Sequence, residues 1–266
     1  MQGSFVWAKG DVLGTGAEAG NITTLQGIPI YNDVYNYGIN KQLNQLVRPE
    51  AAVISGTYVT PRLAAGSTGT KVASQVLRDW QLGWVLRYQN GALIQTPYSN
   101  NQLYAQLARF SSATTFTPTF WNYVPGVDPL SVDPNSKNFN PQASLVLNKA
   151  AWTDAPAGTF GVSAPFYNNY RWQRQPAESM SFGRNFRIGK ERVYNLFIRA
   201  EFQNIFNRLF LSMPLTGTAS PTLSANPATP ATSTGGVYTG GYGYIPTLGG
   251  AGASPRTGQV VARFTF

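Results

Sequence analysis

The sequence predicts an all-β chain: an antiparallel transmembrane β-barrel portion of about six strands, joined by long extracellular loops. Three observations predict it. The last nine residues, Gly258 to Phe266, alternate at period two, with Val260, Ala262, Phe264 and Phe266 on one face and Gln259, Arg263 and Thr265 on the other. Only 12% of the 266 residues are charged, about half the usual globular share, whereas 13% are aromatic and both Gly (27) and Pro (18) abound. Finally, the links between strand-like segments are far longer than compact soluble domains tolerate, while barrels pair long loops outside with short turns inside.

The elements follow in chain order. Residues 3–9 form a first strand end carrying Phe5 and Trp7, and Ala51 to Thr60 form a second that Pro61 terminates. Asp79 to Gln89 is the clearest strand. Trp80, Leu82, Trp84, Leu86 and Tyr88 share one face; Asp79, Gln81, Gly83, Arg87 and Gln89 share the other, joined by Val85. Glu178 to Ile188 places Met180, Phe182, Phe186 and Ile188 on a single side. After a charged turn, Gly189-Lys190-Glu191-Arg192, the segment 193–204 repeats the pattern. Tyr194, Leu196, Ile198, Ala200 and Phe202 oppose Asn195, Arg199, Glu201 and Gln203 there. The sixth strand is 258–266. Links at 10–50, 90–177 and 205–257 are long, and those at 61–78 and 189–192 shorter, so the strands run alternately up and down and the C-terminus falls on the periplasmic side.

In this register Trp80, Leu82, Trp84, Leu86, Leu196, Ile198 and Phe202 are expected to face lipid. Arg87, Arg199, Glu201 and Arg263 are expected to face the lumen, Arg199 and Glu201 as an ion ladder. Segment 205–257 reads as one long low-complexity extracellular loop. Within it Ser212 to Gly236, rich in Thr, Ser, Ala and Pro, is expected to be mobile, and the Gly/Tyr run Tyr238 to Tyr244 to be plain loop.

Composition also excludes chemistry. With no Cys and no His, disulfides, thiol or imidazole metal sites and His-based nucleophile pairs are absent. The eleven carboxylates, among them Glu178, Glu191, Glu201, Asp128, Asp133 and Asp154, match neither a calcium loop nor a specific hydrolase pair. The glycine pairs at 235–236 and 240–241 lack the Lys of a phosphate loop. No enzyme activity, cofactor or metal is therefore expected. The net charge of +9 is spread thinly rather than clustered, which argues against nucleic acid as a partner. Met1-Gln-Gly-Ser-Phe-Val-Trp has no signal-peptide pattern, so an export signal is expected to lie outside this chain.

Several phrases, in order, resemble the C-terminal part of Oar-like TonB-dependent transporters. Gly3-Ser-Phe-Val-Trp-Ala-Lys9 is similar to the family's "SYTWSK" strand end, and the segment Leu77 to Gly91 to its "GWQLSGILTYQSG". Ala157-Gly-Thr-Phe-Gly161 resembles a loop phrase of the family. Most specific are Arg184-Asn-Phe-Arg-Ile188 and Arg199-Ala-Glu-Phe-Gln-Asn-Ile-Phe-Asn207, which resemble "KNFRL…RAEFFNLFN". The terminal Arg263-Phe-Thr-Phe266 closes the chain as in that family.

The resemblance implies a Gram-negative outer-membrane barrel of about 22 strands around an N-terminal plug, energised by TonB. This chain looks like its last quarter, without the plug, so TonB would be reached only through that absent part. Implied partners are membrane lipid and lipopolysaccharide, an unidentified substrate at the loops, and the barrel-assembly machinery, which would recognise the terminal strand through Phe264 and Phe266. Two rivals stand beside this reading. One is a secreted β-sandwich that stacks glycans on the Trp80/Trp84/Tyr88 face; the other is a surface adhesin working through its loops.

Overall fold

The computed structural model describes residues 1–13, 36–44, 47–61, 68–99, 101, 119–189, 194–216, 226–246 and 255–266. In chain order the strands are β1 (Gln2–Trp7), β2 (Asp11–Leu13), β3 (Lys41–Leu43), β4 (Glu50–Val59), β5 (Trp80–Gln89), β6 (Leu93–Gln95) and β7 (Asn122–Tyr123). They continue with β8 (Trp152–Thr153), β9 (Phe166–Arg171), β10 (Ala177–Ile188), β11 (Tyr194–Gln203), β12 (Thr232–Thr234), β13 (Val237–Gly240) and β14 (Thr257–Thr265). Among the described residues there is one α-helix, α1 (Thr68–Leu77), in the link between β4 and β5.

Six strands form a single antiparallel sheet in the order β1-β4-β5-β10-β11-β14, each lying beside its predecessor in the wall. All six expected strands are found within two residues of their expected ends. The outer edges of β1 and β14 have no strand partner among the described residues.

Registers carry the side-chain alternation across the whole sheet. Phe5 pairs with Ala52, Ala52 with Tyr88, Ile54 with Leu86, and Leu86 with Glu178. Met180 pairs with Trp84 and Phe202, Phe182 with Leu82 and Ala200, and Leu196 with Phe186 and Phe264. One face is therefore apolar from edge to edge. The opposite face carries Ser4, Ser55, Thr57, Gln81, Arg87, Ser179, Ser181, Asn185, Arg199, Glu201, Gln259 and Arg263.

Bulky rings cover glycines on the facing strand. A Cβ placed on Gly56 would stand 2.5 Å from the Trp84 indole, and one on Gly258 would stand 2.8 Å from the Phe202 ring. Gly183 lies equally close under Phe197, on the other face. Each ring occupies the space the glycine leaves, shielding backbone that would otherwise be bare.

The buried core lies elsewhere, in the long connections. Ile94, Trp121, Val146, Leu147, Trp152, Tyr170, Trp172, Tyr242 and Ile245 form one cluster. They come from 90–176 and 205–256, so these two loops fold into a common cap on one rim, stitched by β6–β9, β7–β8 and β12–β13. Two expectations are corrected here. Of the mobile segment Ser212 to Gly236, residues 217–225 lie outside the described residues, but 226–236 fold and 232–234 form β12. The Gly/Tyr run is part of the core: Tyr242 is buried, and Gly243, at φ +83°, packs against Leu147. The segment cannot bury enough apolar area by itself, but the neighbouring loop supplies the missing partners. The opposite rim carries the β10–β11 turn, of which 190–193 lie outside the described residues, and α1 within a link expected as a simple connection.

Gly56→Ala is expected to force the Trp84 ring from its seat and destabilise the sheet by about 1–3 kcal/mol. Gly3→Ala, with open space at its Cβ, is expected to be neutral or slightly stabilising. Urea unfolding of the two variants in detergent, followed by tryptophan fluorescence, checks both.

Candidate functional site

Small residues hollow the polar face. Gly83, Ser179 and Ser181 stand beside Thr57, Val85, Glu201, Gln203, Thr257 and Gln259, and together they line a groove of about 530 Å³. Strand alternation places these side chains on one face, and the absence of bulk at 83, 179 and 181 opens the space. Glu201 is the groove's anion. It accepts a hydrogen bond from Gln259 Nε2 (2.6 Å) and pairs with Arg199 two residues away on the same strand.

All four polar residues singled out from sequence, Arg87, Arg199, Glu201 and Arg263, lie on this face. The structure brings only Arg199 and Glu201 together; Arg87 and Arg263 stand exposed, apart from the groove. The seven apolar residues, Trp80, Leu82, Trp84, Leu86, Leu196, Ile198 and Phe202, all share the other face. Phe264 joins them and stacks on Tyr194 at 6.0 Å, and Phe266 extends beyond the strand, 89% exposed.

Three charges, Glu50, Glu178 and Arg184, stand on the apolar face, and chain outside the wall answers the last two. Glu178, at the cap end of β10, is only 2% exposed. Arg208 grips it bidentately, Nε to Oε2 at 2.7 Å and Nη2 to Oε1 at 3.1 Å, and the Tyr88 hydroxyl donates to Oε1 at 3.1 Å. The grip holds the Arg208 guanidinium above its ordinary pKa, mainly through the hydrogen bond to Glu178. The intervening turn is built by Asn204 and Asn207, both at φ +50°, a conformation Asn tolerates better than most residues. Asn204 exchanges hydrogen bonds with Arg208 (Oδ1 accepting at 2.8 Å, Nδ2 donating at 3.0 Å), and Asn207 Oδ1 accepts from Arg256 N at 3.0 Å. The run Gln203-Asn-Ile-Phe-Asn207 is thus the clasp between sheet and cap. Arg184, on the same face of β10 four residues before its other end, lies beside α1.

In the cap the aromatics interlock. The Tyr123, Trp152 and Tyr167 rings meet at tilted angles, with centroids 4.8 to 6.3 Å apart. The Tyr170 and Tyr242 hydroxyls meet at 3.0 Å in the core, and Trp172 Nε1 reaches across to Leu211 O at 3.0 Å. The loop carboxylates serve backbone turns. Asp128 and Asp133 each accept from the amide two residues on (2.9 Å), and Asp154 accepts from the Ser99 hydroxyl at 2.5 Å. Glu191 lies outside the described residues.

An antiparallel sheet with one apolar and one polar face, short connections at one rim and a folded cap at the other, has the build of a membrane barrel wall. The chain belongs to the family of the outer membrane beta barrel domain, whose family model matches residues 1–244. That family places the protein in the outer membrane of Gram-negative bacteria. No curated protein and no solved structure matches the chain.

Two outcomes are expected from this geometry. Glu178→Gln removes the anion under Arg208. Because Arg208 is about half exposed, the cost is about 1–3 kcal/mol, short of the value for a fully buried pair. Urea unfolding in detergent measures that loss, and faster protease cutting near 205–210 reports the loosened clasp. Burial raises the phenol pKa values of Tyr98, Tyr170 and Tyr242 above their ordinary 10.0. Their contribution to cap stability is therefore complete below pH 10 and falls as pH climbs from there towards the raised folded-state values. Absorbance at 295 nm is expected to show a late-titrating set of tyrosines that ionise only as the cap opens.

Proposed function

We propose that this chain forms wall, capped mouth and closing strand of a TonB-dependent outer-membrane transporter for an as yet unidentified substrate. The groove in the polar face, with Glu201 as its anion and Arg199 and Gln259 beside it, is the observation that supports this reading. In it the apolar face meets lipid, and the polar face lines the lumen and receives a plug through which TonB acts. The cap captures substrate at the cell surface, and the groove offers it carboxylate, amide and hydroxyl contacts on the way in. Phe264 and Phe266, aromatic and exposed on the terminal strand, serve as the recognition signal for barrel assembly by strand addition. The reading needs no bond chemistry and no cofactor.

Glycan stacking on the Trp80/Trp84/Tyr88 face is less well supported. The Trp84 ring covers Gly56, Trp80 Nε1 is bonded to Val76 O (2.8 Å), and the Tyr88 hydroxyl is bonded to Glu178.

The chain has no cysteine, so Ser181→Cys introduces its one thiol at the groove floor. Whole cells expressing the protein with this change are treated with a membrane-impermeant fluorescent maleimide. TonB-driven plug movement makes labelling faster in cells with TonB than in cells without it. Equal rates in the two strains would remove the transport reading and leave a static pore or adhesin.

A further inference from the structure

On the rim away from the cap, α1 is held by its last turn. The terminal carbonyls of a helix have no partner within the helix and must be met from outside. Three wall side chains meet them here. The Thr60 hydroxyl donates to Leu77 O at 2.6 Å, Trp80 Nε1 donates to Val76 O at 2.8 Å, and the Arg184 guanidinium donates to Gln75 O. Arg184 also lies over the Trp80 and Phe186 rings, 5.5 and 4.9 Å from their centroids. Trp80, Arg184 and Phe186 all belong to the apolar face, so the helix end is fastened to the outer side of the wall and not to the lumen side.

The helix then presents apolar surface away from its attachment. Val72 and Val76, one turn apart, are 61% and 54% exposed, and Leu77 is 50% exposed. Trp80, Phe186, Ile188, Tyr194 and Phe264 on the same face of the wall are also exposed, with Arg184 over the Trp80 and Phe186 rings. Exposed aromatics, a valine pair and a cation four residues before the end of β10 match the requirements of a membrane interface.

We infer that α1 is an in-plane anchor. Its Val72/Val76 stripe beds into the periplasmic leaflet of the outer membrane, with Arg184 at the level of anionic phospholipid headgroups. The inference rests on the reading of the apolar face as lipid-facing. Arg184 has two roles in it: it neutralises the negative end of the helix dipole, and it adds attraction to anionic lipid. A ten-residue helix is too short to be stable in isolation, so the fastening at its C-terminus makes the anchor possible.

The test places an environment-sensitive dye on Val72→Cys, or on Phe182→Cys in the middle of the apolar face, in the full-length protein. Both variants are reconstituted in phosphatidylethanolamine/phosphatidylglycerol vesicles. The anchor predicts that a shallow spin-labelled lipid quenches the Val72 dye more strongly than an aqueous nickel chelate does. It also predicts that adding Arg184→Gln lowers the preference of that quenching for spin-labelled phosphatidylglycerol by about fivefold, the weight of one basic residue at an anionic surface. Dominant aqueous quenching at Val72 with lipid quenching at Phe182 would overturn the anchor and leave the barrel reading standing. Aqueous quenching at both positions would overturn the two together.

Discussion

A sheet inside hydrocarbon has no water to take its amide groups, so each must find its partner in the next strand. The rest of this structure depends on that constraint. The five wall pairings run from end to end without a register shift, whereas shifts do occur in the β6–β9 and β12–β13 pairs of the cap. A one-residue slip in the wall would turn a whole strand's apolar set to the wrong face. Continuous pairing therefore locks each strand's two faces to those of its neighbours, and six short alternations become one apolar surface. The aromatic-over-glycine pairs serve the same end. Where a strand lacks a side chain, a ring from the facing strand covers the gap, so Trp84 and Phe202 keep the apolar side closed over Gly56 and Gly258.

The cap obeys the opposite logic. It is stabilised by a buried core to which the wall strands contribute nothing and its own short strands β6, β8 and β9 contribute Ile94, Trp152 and Tyr170. Trp121, Trp152, Trp172, Tyr170 and Tyr242 remove large apolar areas from water in a part of the chain with few charges. Buried hydroxyls and indoles need partners, and the pairing of Tyr170 with Tyr242 and of Trp172 with Leu211 O links one loop to the other. Neither loop holds a full core by itself. Their interlocking makes one folded cap, with the Glu178–Arg208 pair as its tie to the wall.

The wall was readable in the sequence because period-two alternation is a local signal, written into each strand separately. Leu82, Trp84 and Leu86 declare their face within five residues, as do Leu196, Ile198 and Ala200. The cap was not readable, because Ile94, Trp121, Val146, Tyr170 and Tyr242 are far apart and follow no period. The same lack of pattern made the Tyr238–Tyr244 run look like plain loop. The partners of Glu178 and Arg184 are not legible for a different reason. Alternation counts the two charges as exceptions on an apolar face, and only the return of residue 208 and of α1 towards the ends of β10 shows what answers them. Of the candidate site, the Arg199–Glu201 pair was legible from spacing. The groove was not, since it arises from missing bulk at Gly83, Ser179 and Ser181 on two neighbouring strands.

Those two exceptions also show how tightly the membrane constrains β10. Six residues separate Glu178 from Arg184, roughly 20 Å along a strand. At a usual barrel tilt near 40° that is about 15 Å along the membrane normal, against an apolar band of about 25 Å. With the apolar face towards lipid, as proposed, a charge at one edge of the band leaves the other within it. An arginine in it costs up to about 2–4 kcal/mol near the middle and little near the edge, so each charge must be answered where it stands. Glu178 is answered by a second charge and a phenol, which close it off almost completely. Arg184 is answered by a helix carbonyl and two ring faces, a softer arrangement that leaves it partly exposed. Two of the points at which the wall breaks its apolar rule, Glu178 and Arg184, are thus points at which non-strand chain is fastened to it, the cap towards one rim and α1 towards the other. A charge that lipid would reject becomes an attachment site, because the segment that neutralises it is held there by the same interaction.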